Sequence, residues 1–172
     1  MDNPRLELRP SWDQYFADLC VDIAKRSLDP NTQVGCVIIN KRNKIIATGY
    51  NSYPPGCDDR NLPHTRPDKY NVMVHAEEAA ICSAAELGTS ISGCTIYVPF
   101  EPCVRCARML ISAGIKKVKV FGNYGGAGTV HDFGLSFELF KQAGVEWEFI
   151  LGAKDEYSDN ISSSGEVKAT RN

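Results

Sequence analysis

His75-Ala76-Glu77 and Pro102-Cys103-Val104-Arg105-Cys106 are the two stretches from which the rest of the chain is read. A zinc ion takes about four tetrahedral ligands, and thiolate sulfur and imidazole nitrogen suit it. Two cysteines separated by two residues reach one ion from the first turn of a helix, where free N–H groups and the helix dipole also favour thiolates. Cys103 and Cys106 have that spacing, and His75 offers a third ligand. Three protein ligands leave a position for water, which is what separates a catalytic zinc from a structural one. Glu77 then has its own task, as the acid/base beside that water. Each piece alone has a plainer reading. A C-x-x-C serves as a redox pair or half of a structural zinc site, and a lone histidine as a hydrogen-bonded core residue. The two pieces in order, each opening a predicted helix, point to catalysis.

Working outward, the helix opened by His75 carries Ala76, Ala79, Ala80, Ala84 and Ala85, small residues that let it lie close against a sheet. A strand over 94–98 feeds the Pro102 motif, and the following helix, 103–113, ends at Gly114 as a C-cap. A strand over 117–121, a glycine loop over 122–128 and a helix over 135–143 stopped by Gly144 come next. Val145, Trp147, Phe149 and Leu151 alternate with Glu146 and Glu148, the pattern of a half-exposed fifth strand.

Upstream, 11–27 reads as an amphipathic helix, with Ser11 and Gln14 as a capping box and Trp12, Phe16, Leu19, Cys20 and Ile23 on one face. Asp29-Pro30 stops it, and Lys25 and Arg26 are cations suited to a helix C-terminus. Runs over 34–40 and 44–50, joined by the turn 41–43, read as a hairpin whose first strand is apolar enough to be buried on both faces. A loop rich in proline and charge, 52–71, carries Arg60, Arg66 and Lys69 and is long enough to be a lid or an interface segment. The alternation of strands and helices predicts a three-layer α/β domain over 1–151, followed by a polar tail over 152–172.

A chain of 172 residues has room for one domain with a real core. Its 43% hydrophobic and 23% charged content is that of a soluble globule. A formal charge of −2 provides no global positive field for a long nucleic acid, while leaving room for a small phosphorylated ligand. No apolar run reaches the length of a membrane span, and residues 1–5 lack a signal peptide's apolar stretch, so the cytoplasm is expected. Seven cysteines, two of them assigned to metal, argue against a disulfide framework. Cys20, Cys36, Cys82 and Cys94 read as small core residues. Cys57 and His64 fall short of a second metal site, with only two ligands between them.

H-x-E with P-C-x-x-C is the pattern of the zinc nucleobase deaminases. Together with Ser11-Trp12-Asp13-Gln14-Tyr15-Phe16, Ala24-Lys25-Arg26-Ser27, Asp29-Pro30-Asn31-Thr32-Gln33-Val34-Gly35 and Gly49-Tyr50-Asn51, it makes residues 11–150 resemble the cytidine deaminase superfamily, and within it the deoxycytidylate (dCMP) deaminases. The resemblance implies an α/β/α fold with a central five-stranded mixed sheet, a Zn2+ cofactor, a homohexamer, and conversion of dCMP to dUMP for thymidylate synthesis. It implies His75, Cys103 and Cys106 as zinc ligands and Glu77 as proton shuttle. Asn51 would bond the sugar or base, and the Ala76 N–H with Phe100, Glu101 and Pro102 would frame the pyrimidine. Tyr124 would lie near the substrate phosphate, with Arg26, Ser27 and Thr32 at the pocket mouth. Two positions depart from the family pattern. Ala79 replaces an asparagine, and Ser52 replaces the glycine of a segment linked to dCTP activation and dTTP inhibition, which leaves such regulation open. Other substrates remain as alternatives: dCTP, a modified deoxycytidylate, tRNA adenosine or guanine. So does a zinc-stabilised interaction module without activity, although a structural site has no need of Glu77.

Overall fold

The computed structural model describes residue 3 and residues 5–122 and 133–150. Five strands, β1 (Gly35–Ile39), β2 (Ile45–Tyr50), β3 (Thr95–Val98), β4 (Lys117–Val120) and β5 (Glu146–Phe149), form one sheet in the order β2-β1-β3-β4-β5. β1 is antiparallel to both β2 and β3, whereas β3, β4 and β5 run parallel. The sheet is therefore mixed, as the resemblance implies. Four helices, α1 (Trp12–Ala24), α2 (Ala76–Glu86), α3 (Val104–Ser112) and α4 (Phe133–Gln142), complete the α/β/α arrangement.

Strand side chains alternate between the two faces, and the core divides accordingly. Cys36, Ile38, Ile96, Val98, Val118 and Val120 pack under α2, α3 and α4, against Ala80, Ala84, Ala107, Leu110 and Phe140. Val37, Ile39 and Tyr97 point the other way, against Phe16, Ala17 and Cys20 of α1. Lying between both layers, β1 is buried along its whole length, the placement its apolar run predicts. Full burial of a side chain such as Phe16 stabilises the fold by about 1.5–3 kcal/mol.

Two glycines set how closely helices approach this sheet. A Cβ at Gly35 would collide with the Cys20 carbonyl of α1, and one at Gly49 with the Ala76 carbonyl at the start of α2. The second approach matters for function, because it fixes the end of α2 that carries His75.

Several elements differ from their sequence-based outlines. α1 ends at Ala24, three residues early, where Lys25, Arg26 and Ser27 turn back with N–H bonds to Asp22, Ile23 and Ala24. Its capping box is half formed. Ser11 Oγ accepts from the Gln14 N–H at 3.1 Å, but the Gln14 amide donates to Asp18 at 2.7 Å instead of reaching back. Trp12 stacks on Phe16 yet is half exposed, at the rim of the apolar face. Cys82, read as a core residue, is exposed, because it lies off the Ala76, Ala80, Ala84 stripe that meets the sheet. Two 3-10 turns, Asp59–Asn61 and Asp68–Asn71, interrupt the long loop. Val145 is buried just before β5, but Phe149, on that edge strand, is exposed. Leu151, Tyr124, most of the glycine loop and the tail over 152–172 lie outside the described residues.

Candidate metal centre and the pocket beside it

His75 occupies the N-cap of α2 and Cys103 the N-cap of α3, with Cys106 in the first turn of α3. Three local contacts hold the first of these termini. The Ser52 and Val74 peptides exchange hydrogen bonds of 3.0 and 2.7 Å just before His75. The Cys36 thiol donates to the Ala76 carbonyl at 3.1 Å, and Gly49 admits the helix end to β2. The second terminus follows from β3, whose last residues lead through Phe100 and Glu101 to Cys103.

Here His75 Nδ1 lies 3.6 Å from Cys103 Sγ and 3.4 Å from Cys106 Sγ, and the three ligand atoms fall within 4.8 Å of one another. Zinc–nitrogen and zinc–sulfur bonds of about 2.0–2.3 Å at a tetrahedral angle require a nitrogen–sulfur edge of about 3.6 Å. The cluster therefore fits zinc. Its donor set agrees, since two cysteine sulfurs and one imidazole nitrogen are atoms that zinc takes. A neighbouring pair of this kind becomes two thiolates when a cation neutralises them. Glu77 is buried in the same turn as His75, and burial raises its carboxyl above the usual value while the imidazole pulls the other way.

A pocket opens over these groups, lined by His75, Ala76, Glu77 and Cys103 together with Phe100, Glu101, Thr32, Val34 and Asn51. Asn51 is 6% exposed and held on several sides. Its Oδ1 accepts from the Val34 N–H at 2.8 Å, and its Nδ2 donates to the Thr32 carbonyl at 2.9 Å and contacts Met73 sulfur at 3.4 Å. Behind it stands a buried ion pair. Lys69 Nζ is 2.8 and 2.6 Å from the two oxygens of Asp29, and Asp29 Oδ1 also accepts from the Asn31 and Thr32 N–H groups at 2.8 and 3.1 Å. With both side chains almost fully buried, this pair ties the segment after α1 to the long loop.

Thus the structure gathers His75, Glu77, Cys103, Cys106, Asn51, Ala76, Thr32, Phe100 and Glu101 around one space. Pro102 is buried behind the lining. Arg26 and Ser27 are not in it. Early termination of α1 leaves Arg26 exposed in the turn and turns Ser27 inward, where its Oγ accepts from the Asp29 N–H at 3.2 Å. Tyr124 is outside the described residues. His64 has both ring nitrogens engaged, Nδ1 with Tyr53 hydroxyl at 3.1 Å and Nε2 with Asp59 carbonyl at 2.8 Å, and no metal cluster with Cys57 occurs among the described residues. The Asp29–Lys69 pair was not anticipated as part of the pocket. Asp29 reads as a helix stop and Lys69 as one loop cation among three, and only folding joins residues so distant in sequence.

The family model of the cytidine and deoxycytidylate deaminase zinc-binding region matches residues 10–122, a stretch that contains all three ligands and Glu77. The chain belongs to the cytidine and deoxycytidylate deaminase family. Zinc is the family's metal and the one that the His75, Cys103 and Cys106 cluster fits. The deoxycytidylate deaminase of Pongo abelii is 43% identical over 113 residues, which make up 62% of this chain and 62% of that protein. The chain thus spans about three fifths of the length of the curated deoxycytidylate deaminases of which this is one. An uncharacterised deaminase from the luxG 3′ region of Aliivibrio fischeri is 36% identical over 142 residues, covering 78% of this chain and 90% of that one. Among solved structures, the dCMP deaminase of cyanophage S-TIM5 in apo form superposes with a TM-score of 0.64 over 87% of this chain and all of that chain. Its identity is 23%, so it establishes the fold of this deaminase family member alone.

Proposed function

We propose that the chain deaminates dCMP hydrolytically to dUMP and ammonia. The observation that carries this reading is the convergence of His75, Cys103 and Cys106 within zinc-binding distance, with Glu77 buried beside them at one wall of an open pocket. When bound, zinc supplies a water acidified to near neutral pH and positioned for attack. Glu77 takes a proton from the attacking water and places it on N3 of cytosine. It then carries the proton of the new C4 hydroxyl to the 4-amino group, which departs as ammonia, leaving a C4 carbonyl. The Ala76 N–H, Phe100 and Glu101, all of which line the pocket, frame the base, and Pro102 belongs to the turn between Glu101 and Cys103. Asn51 keeps a second lone pair on Oδ1 for the sugar, while its contacts to Val34 and Thr32 hold it in place. Thr32, which lines the pocket, is assigned to its mouth, and Tyr124 to the substrate phosphate by resemblance alone, whereas the positions of Arg26 and Ser27 give no support to a role for them.

Identity to deoxycytidylate deaminases in the matched region supports dCMP over the other substrates. The same reading places the deaminase domain at 1–151 with an appended tail at 152–172, in the cytoplasm, as a homohexamer. No helix among the described residues is long and apolar enough to cross a membrane. dCTP and dTTP are the regulators that the resemblance brings with it. Ser52 argues against them, because its Cβ stands where the glycine of the family pattern leaves room for close backbone approach. Ammonia release by the purified zinc protein, compared across dCMP, dCTP, cytidine and a tRNA anticodon stem, tests the assignment. dCMP is expected to give the highest kcat/KM, and activity confined to any other member of the set would refute it.

A further inference from the structure

The C-x-x-C turn contains a charged residue that the reaction itself does not use. Arg105, between Cys103 and Cys106, reaches across to Glu78, which follows Glu77 on α2. Arg105 Nη2 donates to Glu78 Oε2 at 2.8 Å, and Arg105 Nε lies 2.7 Å from Oε1, a two-pronged pairing of guanidinium with carboxylate. The same Oε2 accepts the backbone N–H of His75 at 2.9 Å. One buried carboxylate therefore touches the metal-ligating residue of α2 and the residue lying between the two metal-ligating cysteines of α3. Its side chain is 12% exposed, against 45% for that of Arg105.

We infer that Glu78 and Arg105 are positioning residues that lock the two ligand-bearing helix starts into the spacing zinc requires. The inference rests on the zinc reading above and adds to it the source of the site's rigidity. His75 and the cysteines lie on separate elements, and the nitrogen–sulfur distances of 3.4 and 3.6 Å depend on how those elements are set against each other. Contacts shared among buried small residues constrain the helices in general. The Glu78 bonds constrain the two termini at the ligands themselves. Outer partners of metal ligands typically govern affinity by about 10–100-fold, and a planar fork fixes orientation in a way a point charge cannot.

Zinc dissociation constants, obtained by competition with a chromophoric chelator, and the visible spectrum of the cobalt-substituted protein are measured without substrate for wild type, Glu78→Ala, Arg105→Ala and Arg105→Lys. Glu78→Ala and Arg105→Ala are expected to weaken zinc by about 10–100-fold and to alter the cobalt bands. Arg105→Lys should fall between Arg105→Ala and wild type, since it restores the charge without the fork. Arg105 is the more exposed partner, so its variants keep the test alive should Glu78→Ala fail to fold. Folded Arg105 variants with wild-type affinity and wild-type cobalt spectra would overturn the inference while leaving the deaminase reading intact. A wild-type protein that takes up no zinc would overturn both.

Discussion

Glu77 and Lys69 are two buried ionisable side chains in different settings. Glu77 stands beside the His75, Cys103 and Cys106 cluster in a pocket wall, where a proton has somewhere to go. Glu77→Ala should retain zinc and lose turnover by about 10²–10⁴-fold. Steady-state kinetics with a matched zinc determination check this, and near-normal turnover would remove Glu77 from its role. Lys69 is 2% exposed, and both oxygens of Asp29 face it. Lys69→Met should cost about 3–5 kcal/mol because it leaves a buried carboxylate without its counter-charge. Denaturant titration measures the loss, and a value below about 1 kcal/mol would mean the pair behaves as a solvent-screened one. The sequence revealed the first of these residues and hid the second. The motif sets an acidic residue two positions after the histidine, so the placement of Glu77 is legible, whereas nothing local distinguishes Lys69 from Arg60 or Arg66.

Elements were legible where burial pattern and chain punctuation agree. β1 reads as a strand buried on both faces and is one, because five consecutive apolar or small residues leave no solvent side. α1 is shorter than its sequence pattern predicts, since Lys25, Arg26 and Ser27 are compatible with a helix but turn back instead at its C-terminus. Gly49 illustrates a constraint that only packing reveals. Gly49→Ala should cost about 1–3 kcal/mol and also weaken zinc, because the added Cβ must displace the end of α2 that bears His75. Thermal unfolding of apo and zinc-loaded protein separates the two effects, and an unchanged pair of transitions would contradict the close approach. Asp13 anchors α1 to the sheet by accepting from Tyr97 hydroxyl and Lys119 Nζ, each at 2.6 Å. Burial works against its charge, yet the bonds from Lys119 and Tyr97 bring its carboxyl below the ordinary value. A depressed folded-state pKa stabilises above the unfolded aspartate value of about 3.9 and ceases to do so as pH falls through the folded-state value. The stability gap between wild type and Asp13→Asn should thus be full at pH 6 and close progressively below about pH 4. A gap that widens in acid would reverse the assignment.

Across the whole molecule, a mixed sheet brings two distant motifs to one place. β1 lies between β2, its antiparallel hairpin partner, and the parallel β3-β4-β5 group. α2 and α3 cover the same face, and their first turns meet beside the ends of β2 and β3. That convergence was foreshadowed by the metal-ligand pattern, because ligands must meet for zinc to be bound. The clamp of Glu78 and Arg105 was not, since neither residue is required by the pattern and their contact exists only once α2 and α3 are docked. Regulation also belongs at this scale. With the Ser52 Cβ in place of a glycine, the dCMP saturation curve should be unchanged by added dCTP or dTTP, and a shift from sigmoidal to hyperbolic on adding dCTP would show otherwise.

Zinc-edge X-ray absorption of the purified protein addresses the metal environment itself. It should show one zinc per chain with two sulfur neighbours at about 2.3 Å and the remaining nitrogen and oxygen neighbours at about 2.0–2.2 Å. A sulfur count of four, a shell without sulfur, or no stoichiometric zinc would contradict the assembly of His75, Cys103 and Cys106 around a single catalytic ion.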